Sequence, residues 1–116
     1  MSQTPSRLLI ACFCAAWCRT CDDYAHVVTS LKDQYAPFAD VVWVDIEDHA
    51  EVLDEVDVEN FPTLLVSDRH QVYFWGTLLP HASTVTQLID RVLSGKIQGV
   101  TDTAITQLDR RLRVTL

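Results

Sequence analysis

Four cysteines lie within ten residues near the start of the chain: Cys12, Cys14, Cys18 and Cys21. The last two form a Cys-x-x-Cys pair between an apolar run and the start of a helical pattern. At a helix N-terminus the backbone N–H groups and the positive end of the helix dipole lower the pKa of a thiol. Because the thiolate is the nucleophile in disulfide exchange, Cys18 is predicted to attack and Cys21, one turn later, to resolve the mixed disulfide.

A Cys-x-x-Cys pair by itself leaves two other functions open. It also occurs in zinc and iron–sulfur sites, so Cys18 and Cys21 could hold a metal together with Cys12, Cys14 or a second subunit. Alternatively, the domain only binds partners and the pair is incidental. Disulfide exchange itself needs neither metal nor organic cofactor. The four histidines lack ligand spacing and are expected on the surface or at helix ends: His26, His49, His70 and His81.

The hydrophobic pattern predicts an α/β fold around this pair. Residues 7–14 are apolar at both parities, which is typical of a central strand buried on both faces. A helix is predicted over residues 18–35, with apolar positions spaced three and four apart and Pro37 behind it. A second strand over 41–46 and a short helix over 50–56 complete a strand–helix–strand–helix order.

The second half of the chain predicts a hairpin and two helices. Residues 63–67 and 71–77 are two strands joined by a short loop, and are therefore antiparallel. Thr84 with Gln87 is a candidate capping box for a helix that ends at Gly95. A last helix is expected over residues 102–114. Trp43 and Trp75 fall in strands and are expected in the core or on a sheet face.

Two segments are similar to those of a known family. Residues 16–21, Ala-Trp-Cys-Arg-Thr-Cys, resemble the active-site segment of the thioredoxin superfamily, and residues 60–63, Asn-Phe-Pro-Thr, resemble its cis-proline loop. Gly76 matches a family glycine beside the active site. The resemblance covers residues 7–95 and implies a thioredoxin-like fold with a four-stranded mixed sheet flanked by helices. It also implies a protein-disulfide oxidoreductase that works through Cys18 and Cys21.

The resemblance further implies a substrate-binding surface. Pro62 would have a cis peptide bond, pack against the Cys-x-x-Cys pair and present the Phe61 backbone to an extended substrate chain. The implied substrate contacts lie on both segments and on the last strand: Trp17, Arg19, Thr20, Phe61, Pro62, Thr63 and Gly76. Implied partners are disulfide-containing proteins and a recycling reductase or small thiol.

Three departures from the family pattern matter. Arg19-Thr20 replaces the usual Gly-Pro, so a guanidinium either favours the Cys18 thiolate and a more oxidising potential or simply points into water.

Cys12 stands where the family keeps a buried aspartate, which leaves water, Asp22 or Asp23 to take the Cys21 proton. Cys12 and Cys14 share a strand face at a separation too large for an easy disulfide, and are expected to be buried, inert thiols. A redox exchange between Cys12 and Cys21 is the alternative.

The third departure concerns the ends of the fold. The family's usual first strand and helix are absent, because residue 7 already begins the central strand, and about twenty residues follow the expected last helix. The helix over 102–114 is therefore predicted to cover the sheet face that the missing first helix leaves bare. We expect one domain over residues 1–116, with a core of 7–95 and a helical extension over 97–116.

Charge and composition limit the partners. The chain has 116 residues, a net charge of −7 and scattered Lys and Arg, which argues against a nucleic-acid partner. Residues 40–60 hold nine of the 16 acidic residues, either as a solvated flank or as a docking surface for a basic partner. No membrane span or export signal is expected. We therefore expect a cytoplasmic protein, or a periplasmic one if a signal has been lost.

Overall fold

The computed structural model describes residues 7–15, 19–53, 56, 63–68, 71–77, 82–95, 97 and 99–115. Strands and helices alternate in the first half of the chain, and two consecutive strands followed by two helices form the second half. In chain order they are β1 (Leu8–Cys14), α1 (Arg19–Tyr35), β2 (Ala39–Asp45), α2 (Ala50–Leu53), β3 (Thr63–Ser67), β4 (Val72–Thr77), α3 (Ala82–Leu93) and α4 (Thr103–Thr115). The predicted α/β fold with a four-stranded mixed sheet is confirmed.

The sheet has the order β2-β1-β3-β4, with β2 parallel to β1 and the other two pairs antiparallel. All seven residues of β1 are buried, as expected for a central strand covered on both faces. The predicted hairpin between β3 and β4 is confirmed. Its loop is held by the Asp68 N–H, which donates to the Gln71 carbonyl at 3.0 Å.

Each face of the sheet has its own hydrophobic cluster. Side chains of α1 and α3 cover one face, which we call the α1 face; its members include Cys12, Cys14, Tyr24 and Ile89. On the opposite, α4 face, Ile105, Leu108 and Leu112 of α4 pack against β1, β3 and β4. The predicted covering of this face by the last helix is therefore confirmed, because the apolar stripe of α4 buries itself there.

The ends of α3 and α4 can be compared with the predicted helix ends. The Oδ1 atom of Asp102 accepts hydrogen bonds from the N–H groups of Ala104 and Ile105, which makes Asp102 the N-cap of α4. Gly95 ends α3 with a φ of 73°, as predicted. The capping box predicted at Thr84 is wrong, because α3 already begins at Ala82 and Thr84 lies inside its first turn.

Candidate active site

The candidate site lies where the buried strand β1 passes into α1. Cys14 ends β1, and Arg19 opens α1 with its side chain exposed. Cys21 lies in the first turn of α1. The side chains of Cys21 and Thr20 are outside the described part of the structure. The other predicted residues of this segment, Trp17 and Cys18, also lie outside the described residues. The described backbone nevertheless confirms that the second cysteine follows a buried strand at a helix N-terminus.

Two of the predicted substrate contacts are brought to the same end of the sheet. Thr63 opens β3 and pairs with Phe13 on one side and Thr77 on the other. Gly76 pairs with Leu64, which in turn is the partner of Cys12. Thr63 and Gly76 therefore lie beside the C-terminal end of β1, from which α1 starts. The other members of the predicted cis-proline loop, Phe61 and Pro62, lie outside the described residues.

Gly76 has a steric reason to lack a side chain. A Cβ atom built at this position would lie 3.2 Å from Cζ of Phe74, which is closer than such contacts normally are. Phe74 lies two residues earlier on the same face of β4 and packs against the cluster of the α1 face. Glycine therefore lets the Phe74 ring lie over the end of the strand next to the candidate site.

Beneath the start of α1 lies a pair of thiols. Cys12 and Cys14 are reduced and buried, and their Sγ atoms lie 3.3 Å apart in hydrogen-bonding contact. A disulfide would need an S–S distance of about 2.05 Å, so the two sulfurs touch without being bonded. The predicted burial is confirmed. The sulfurs approach more closely than the spacing of strand β-carbons led us to expect, because both side chains lean toward each other on the α1 face.

Tyr24 of α1 belongs to the same buried cluster as this thiol pair. Its side chain is fully buried, one helical turn after Cys21. Burial raises the pKa of Tyr24 well above its usual range, and the nearby Cys12 and Cys14 thiols raise it further. The phenol is therefore neutral at physiological pH.

Carboxylates are not part of the floor of the site among the described residues. Among the described residues the buried acids are Asp68 and Asp109. Both lie at the other end of the sheet, where Ser67 pairs with Leu9 at the start of β1. Asp22 and Asp23, the candidates for taking the Cys21 proton, are exposed on α1. The expectation that Cys12 replaces a buried carboxylate is consistent with this placement, since Cys12 is fully buried in β1.

The described residues also bear on the other predicted sites. They contain no cluster of His, Cys, Asp and Glu suited to a metal ion. His26 is exposed, and His49 accepts a hydrogen bond from the Val52 N–H through its carbonyl at the start of α2. His70 and His81 lie outside the described residues. Of the described helices, none has the length and apolar character needed to cross a membrane.

The fold and the placement of the site agree with the comparison to known proteins. The Thioredoxin family model matches residues 2–89, and the chain therefore belongs to the Thioredoxin family. This membership supports a thiol–disulfide oxidoreductase function in general terms. No curated protein sequence matches the chain significantly.

Solved structures with the same fold include several thioredoxins. The germline-specific thioredoxin Deadhead of Drosophila melanogaster has 21% identity and a TM-score of 0.66 over 75% of this chain and 82% of its own. Mitochondrial thioredoxin 3 of Saccharomyces cerevisiae has 21% identity and a TM-score of 0.63 over 77% and 80%. The Fasciola hepatica thioredoxin has 22% identity and a TM-score of 0.65 over 75% and 82%. At these identities the likeness is one of fold.

Proposed function

We propose that this chain is a protein-disulfide oxidoreductase that exchanges its Cys18–Cys21 dithiol with disulfides of protein substrates. The observation that carries the proposal is the position of the Cys-x-x-Cys pair, whose second cysteine lies in the first turn of α1 directly after the buried strand β1. Cys18 precedes Arg19, the first residue of this helix, and we expect it to ionise more readily than a free cysteine, because the N-terminal end of a helix favours the thiolate.

The reaction transfers two electrons from the dithiol to the substrate. The Cys18 thiolate attacks one sulfur of the substrate disulfide, a mixed disulfide forms, and the other substrate sulfur leaves as a thiolate that takes up a proton. Cys21 then loses its proton and attacks the Cys18 sulfur, which releases the second substrate thiol. The chain ends with a Cys18–Cys21 disulfide, which a reductase or a small thiol must reduce again.

The surroundings of the pair supply substrate contact. Trp17, Arg19 and Thr20 are sequence neighbours of the two cysteines, and Phe61 and Pro62 precede Thr63 in the chain. The family resemblance assigns these residues to substrate contact. The side chain of Arg19 is exposed, and in this proposal its guanidinium contacts the substrate or the Cys18 thiolate. A cytoplasmic location, where thiols are kept reduced, would make the chain a reductant.

We also propose that residues 1–116 form one domain, because α4 shares a hydrophobic cluster with β1 and β3.

A glutathione redox titration tests this function. The bonded pair is identified by alkylation and mass spectrometry, and the turnover of a protein disulfide is measured in parallel. We expect a reversible Cys18–Cys21 disulfide, loss of turnover in Cys18→Ser, and a trapped mixed disulfide in Cys21→Ser. Cys14→Ala, which removes a buried thiol outside the pair, is the matched control and should keep its turnover.

Two results would contradict the proposal. One is the absence of a reversible Cys18–Cys21 bond at every glutathione ratio, and the other is unchanged turnover in Cys18→Ser. A midpoint near the thioredoxin value of about −270 mV would indicate a reductant, whereas a value well above it would indicate an oxidase or isomerase. Zinc or iron in stoichiometric amount in anaerobically purified protein would favour the metal site instead.

A further inference from the structure

The outer edge of β2 is open among the described residues. The sheet order places β2 at one edge, and no described segment pairs with its outer side. β2 has seven residues, which is long for an unprotected edge strand. Edge strands of this kind present unpaired N–H and C=O groups to another chain, so the edge needs a physical explanation.

The hydrogen bonds to β1 identify which groups point outward. The Leu8 N–H donates to the Phe38 carbonyl, and the Ile46 N–H donates to the Cys14 carbonyl. In a parallel pair both backbone groups of alternate residues face the same neighbour. The even-numbered residues of β2 therefore bond to β1, and the N–H and C=O groups of Val41 and Trp43 point away from the sheet.

The ends of this edge are already occupied. The Ala39 carbonyl accepts a hydrogen bond from Arg7 at 3.2 Å. The Asp45 carbonyl accepts one from the His49 N–H at 3.1 Å. Val41 and Trp43, in the middle of the strand, are thus the residues whose outward N–H and C=O groups both lack a partner among the described residues.

Exposed aromatic side chains mark the same edge. Of the three large hydrophobic residues that are exposed in the described part of the chain, Phe38 and Trp43 lie just before and within β2, at 52% and 39% exposure. An open groove of about 680 Å³ is lined by Ala39, Asp40, Val41 and Val42 of this strand. Exposed apolar surface next to unpaired backbone is typical of an interface.

Charge along the edge is asymmetric. Two cations, Arg7 and Lys32, and one acid, Asp40, line the groove at the N-terminal end of β2. Arg7 forms an ion pair with Asp40 at 2.8 Å, so the positive charge of Lys32 remains as the net charge of the three. The half-buried Asp45 and the exposed Glu47 lie at the C-terminal end of β2. An edge that is basic at one end and acidic at the other is complementary to a second copy of itself, provided that the two strands run antiparallel.

We propose that β2 pairs antiparallel with β2 of a second copy of this chain, about a two-fold axis normal to the sheet at Val42. In this register Val41 lies opposite Trp43 of the second copy, so all four outward groups of each pair bond to one another. The register also places Trp43 against Val41 on the α1 face, a favourable aromatic and β-branched pair. Asp45 lies opposite Ala39 of the second copy, next to its Arg7 and Lys32.

Neighbouring registers are less well matched. A shift that places Val41 opposite Val41 sets Trp43 against Ala39, whose carbonyl is bonded to Arg7. The opposite shift sets Val41 against Asp45, whose carbonyl is bonded to His49. The register about Val42 is therefore the one that pairs groups with no other described partner.

The mass in solution and a cysteine cross-link test this proposal. Light scattering across a concentration series is expected to show a mass that rises from one chain toward two. Trp43→Lys places a charge in the interface and should shift this rise at least tenfold higher in concentration. Gln87→Lys, at an exposed position on α3 outside the proposed interface, is the matched control and should behave like the parent chain.

The cross-link reports the register. In a chain with Cys18→Ser and Cys21→Ser, V42C is expected to form a disulfide with itself, because non-hydrogen-bonded partners across an antiparallel pair lie about 4.5 Å apart at Cα. D40C, on the same face, would be separated from its counterpart by about 13 Å and should stay reduced.

Three outcomes would overturn the proposal. The first is a mass of one chain at all concentrations together with no cross-link in V42C. The second is a dimer that Trp43→Lys leaves unchanged, which would place the interface elsewhere. The third is protection of the Val41 and Trp43 amides from hydrogen exchange in a monomeric sample, which would show that a segment of the same chain covers the edge.

Discussion

The Sγ atoms of Cys12 and Cys14 lie 3.3 Å apart in the buried cluster that also contains Tyr24. This thiol pair occupies the floor of the candidate site, where both sulfurs are shielded from solvent by α1. Both thiols are buried in the core. The pair thus differs in its surroundings from the Cys-x-x-Cys pair, whose second cysteine lies in the first turn of α1.

We predict that Cys12 and Cys14 do not react with thiol reagents in the folded protein. In Cys18→Ser/Cys21→Ser, an aromatic disulfide reagent should label neither thiol rapidly before unfolding and both after denaturant is added. Rapid labelling of either thiol at neutral pH in the folded variant would show that the floor of the site is accessible. It would also favour a redox role for Cys12.

Leu108 of α4 is fully buried on the sheet face opposite α1. Leu108→Ala is expected to lower the free energy of unfolding by about 2–5 kcal/mol, because a buried leucine loses transfer energy and leaves a cavity. The matched control is Val114→Ala on the same helix, where the side chain is 86% exposed. Denaturant unfolding measures both, and equal effects would mean that α4 does not contribute to the core.

At the end of the sheet away from the cysteines, Asp109 joins α4 to β3. Its Oδ1 atom accepts a hydrogen bond from the Ser67 hydroxyl at 2.6 Å, and its carboxylate also accepts one from Nε of Arg113 at 3.2 Å. Asp109→Ala should lower the free energy of unfolding by about 2–3 kcal/mol, because the buried Ser67 hydroxyl loses its acceptor and the Arg113 guanidinium loses its carboxylate and keeps its hydrogen bond to Ser67 Oγ.

Asp33→Ala on the exposed face of α1 is the control for Asp109→Ala. It should change the free energy of unfolding by less than about 0.5 kcal/mol. Similar losses in both variants, measured by urea unfolding at neutral pH, would contradict a structural role for the network of Ser67, Asp109 and Arg113.

Gly76→Ala tests the steric argument at the last strand. The added methyl group would lie 3.2 Å from Cζ of Phe74, so this ring must move. We expect a loss of about 1 kcal/mol in the free energy of unfolding and slower reduction of protein disulfides, with less effect on a small disulfide. Thr77→Ala at the exposed neighbour is the control. Unchanged rates with both substrates would remove Gly76 from the substrate surface.

Alkaline pH should destabilise the fold through Tyr35. Burial raises the pKa of Tyr35 to about 12, and its hydrogen bond to Asp90 adds to the shift. The unfolded tyrosine ionises near pH 10 while the folded one stays neutral, so the unfolded state binds fewer protons and stability falls as pH rises from about 10 to 12. Tyr35→Phe should lose less stability over this interval. An equal loss in both proteins, measured by denaturant unfolding, would contradict the assignment.

The periodicity of apolar residues was sufficient to predict most elements. β1 is apolar at both parities and α1 repeats its apolar residues at helical spacing, so local pattern and tertiary burial agree. The start of α3 was wrong, since Thr84 and Gln87 match a capping box although the helix begins at Ala82. Side-chain patterns of this kind also occur inside a first turn, where the backbone already has other partners.

The position of the Cys-x-x-Cys pair could be predicted because it depends on order along the chain, from strand to helix. The contact between Cys12 and Cys14 could not, since it depends on side-chain rotamers in a packed core. Nor did the pattern reveal that Trp43 is partly exposed. Residues 41–44 of its strand are all apolar, and only the sheet order shows that no described strand lies beyond it.

The sequence alone determined the α/β class, the placement of Cys21 at a helix N-terminus and the apolar stripe of α4, because each follows from residue types repeated at a fixed local spacing. Tertiary structure decided which face α4 covers, which acids are buried and which strand forms the edge. These depend on contacts between residues far apart in the chain, such as Ser67 with Asp109, whose partners no local pattern specifies.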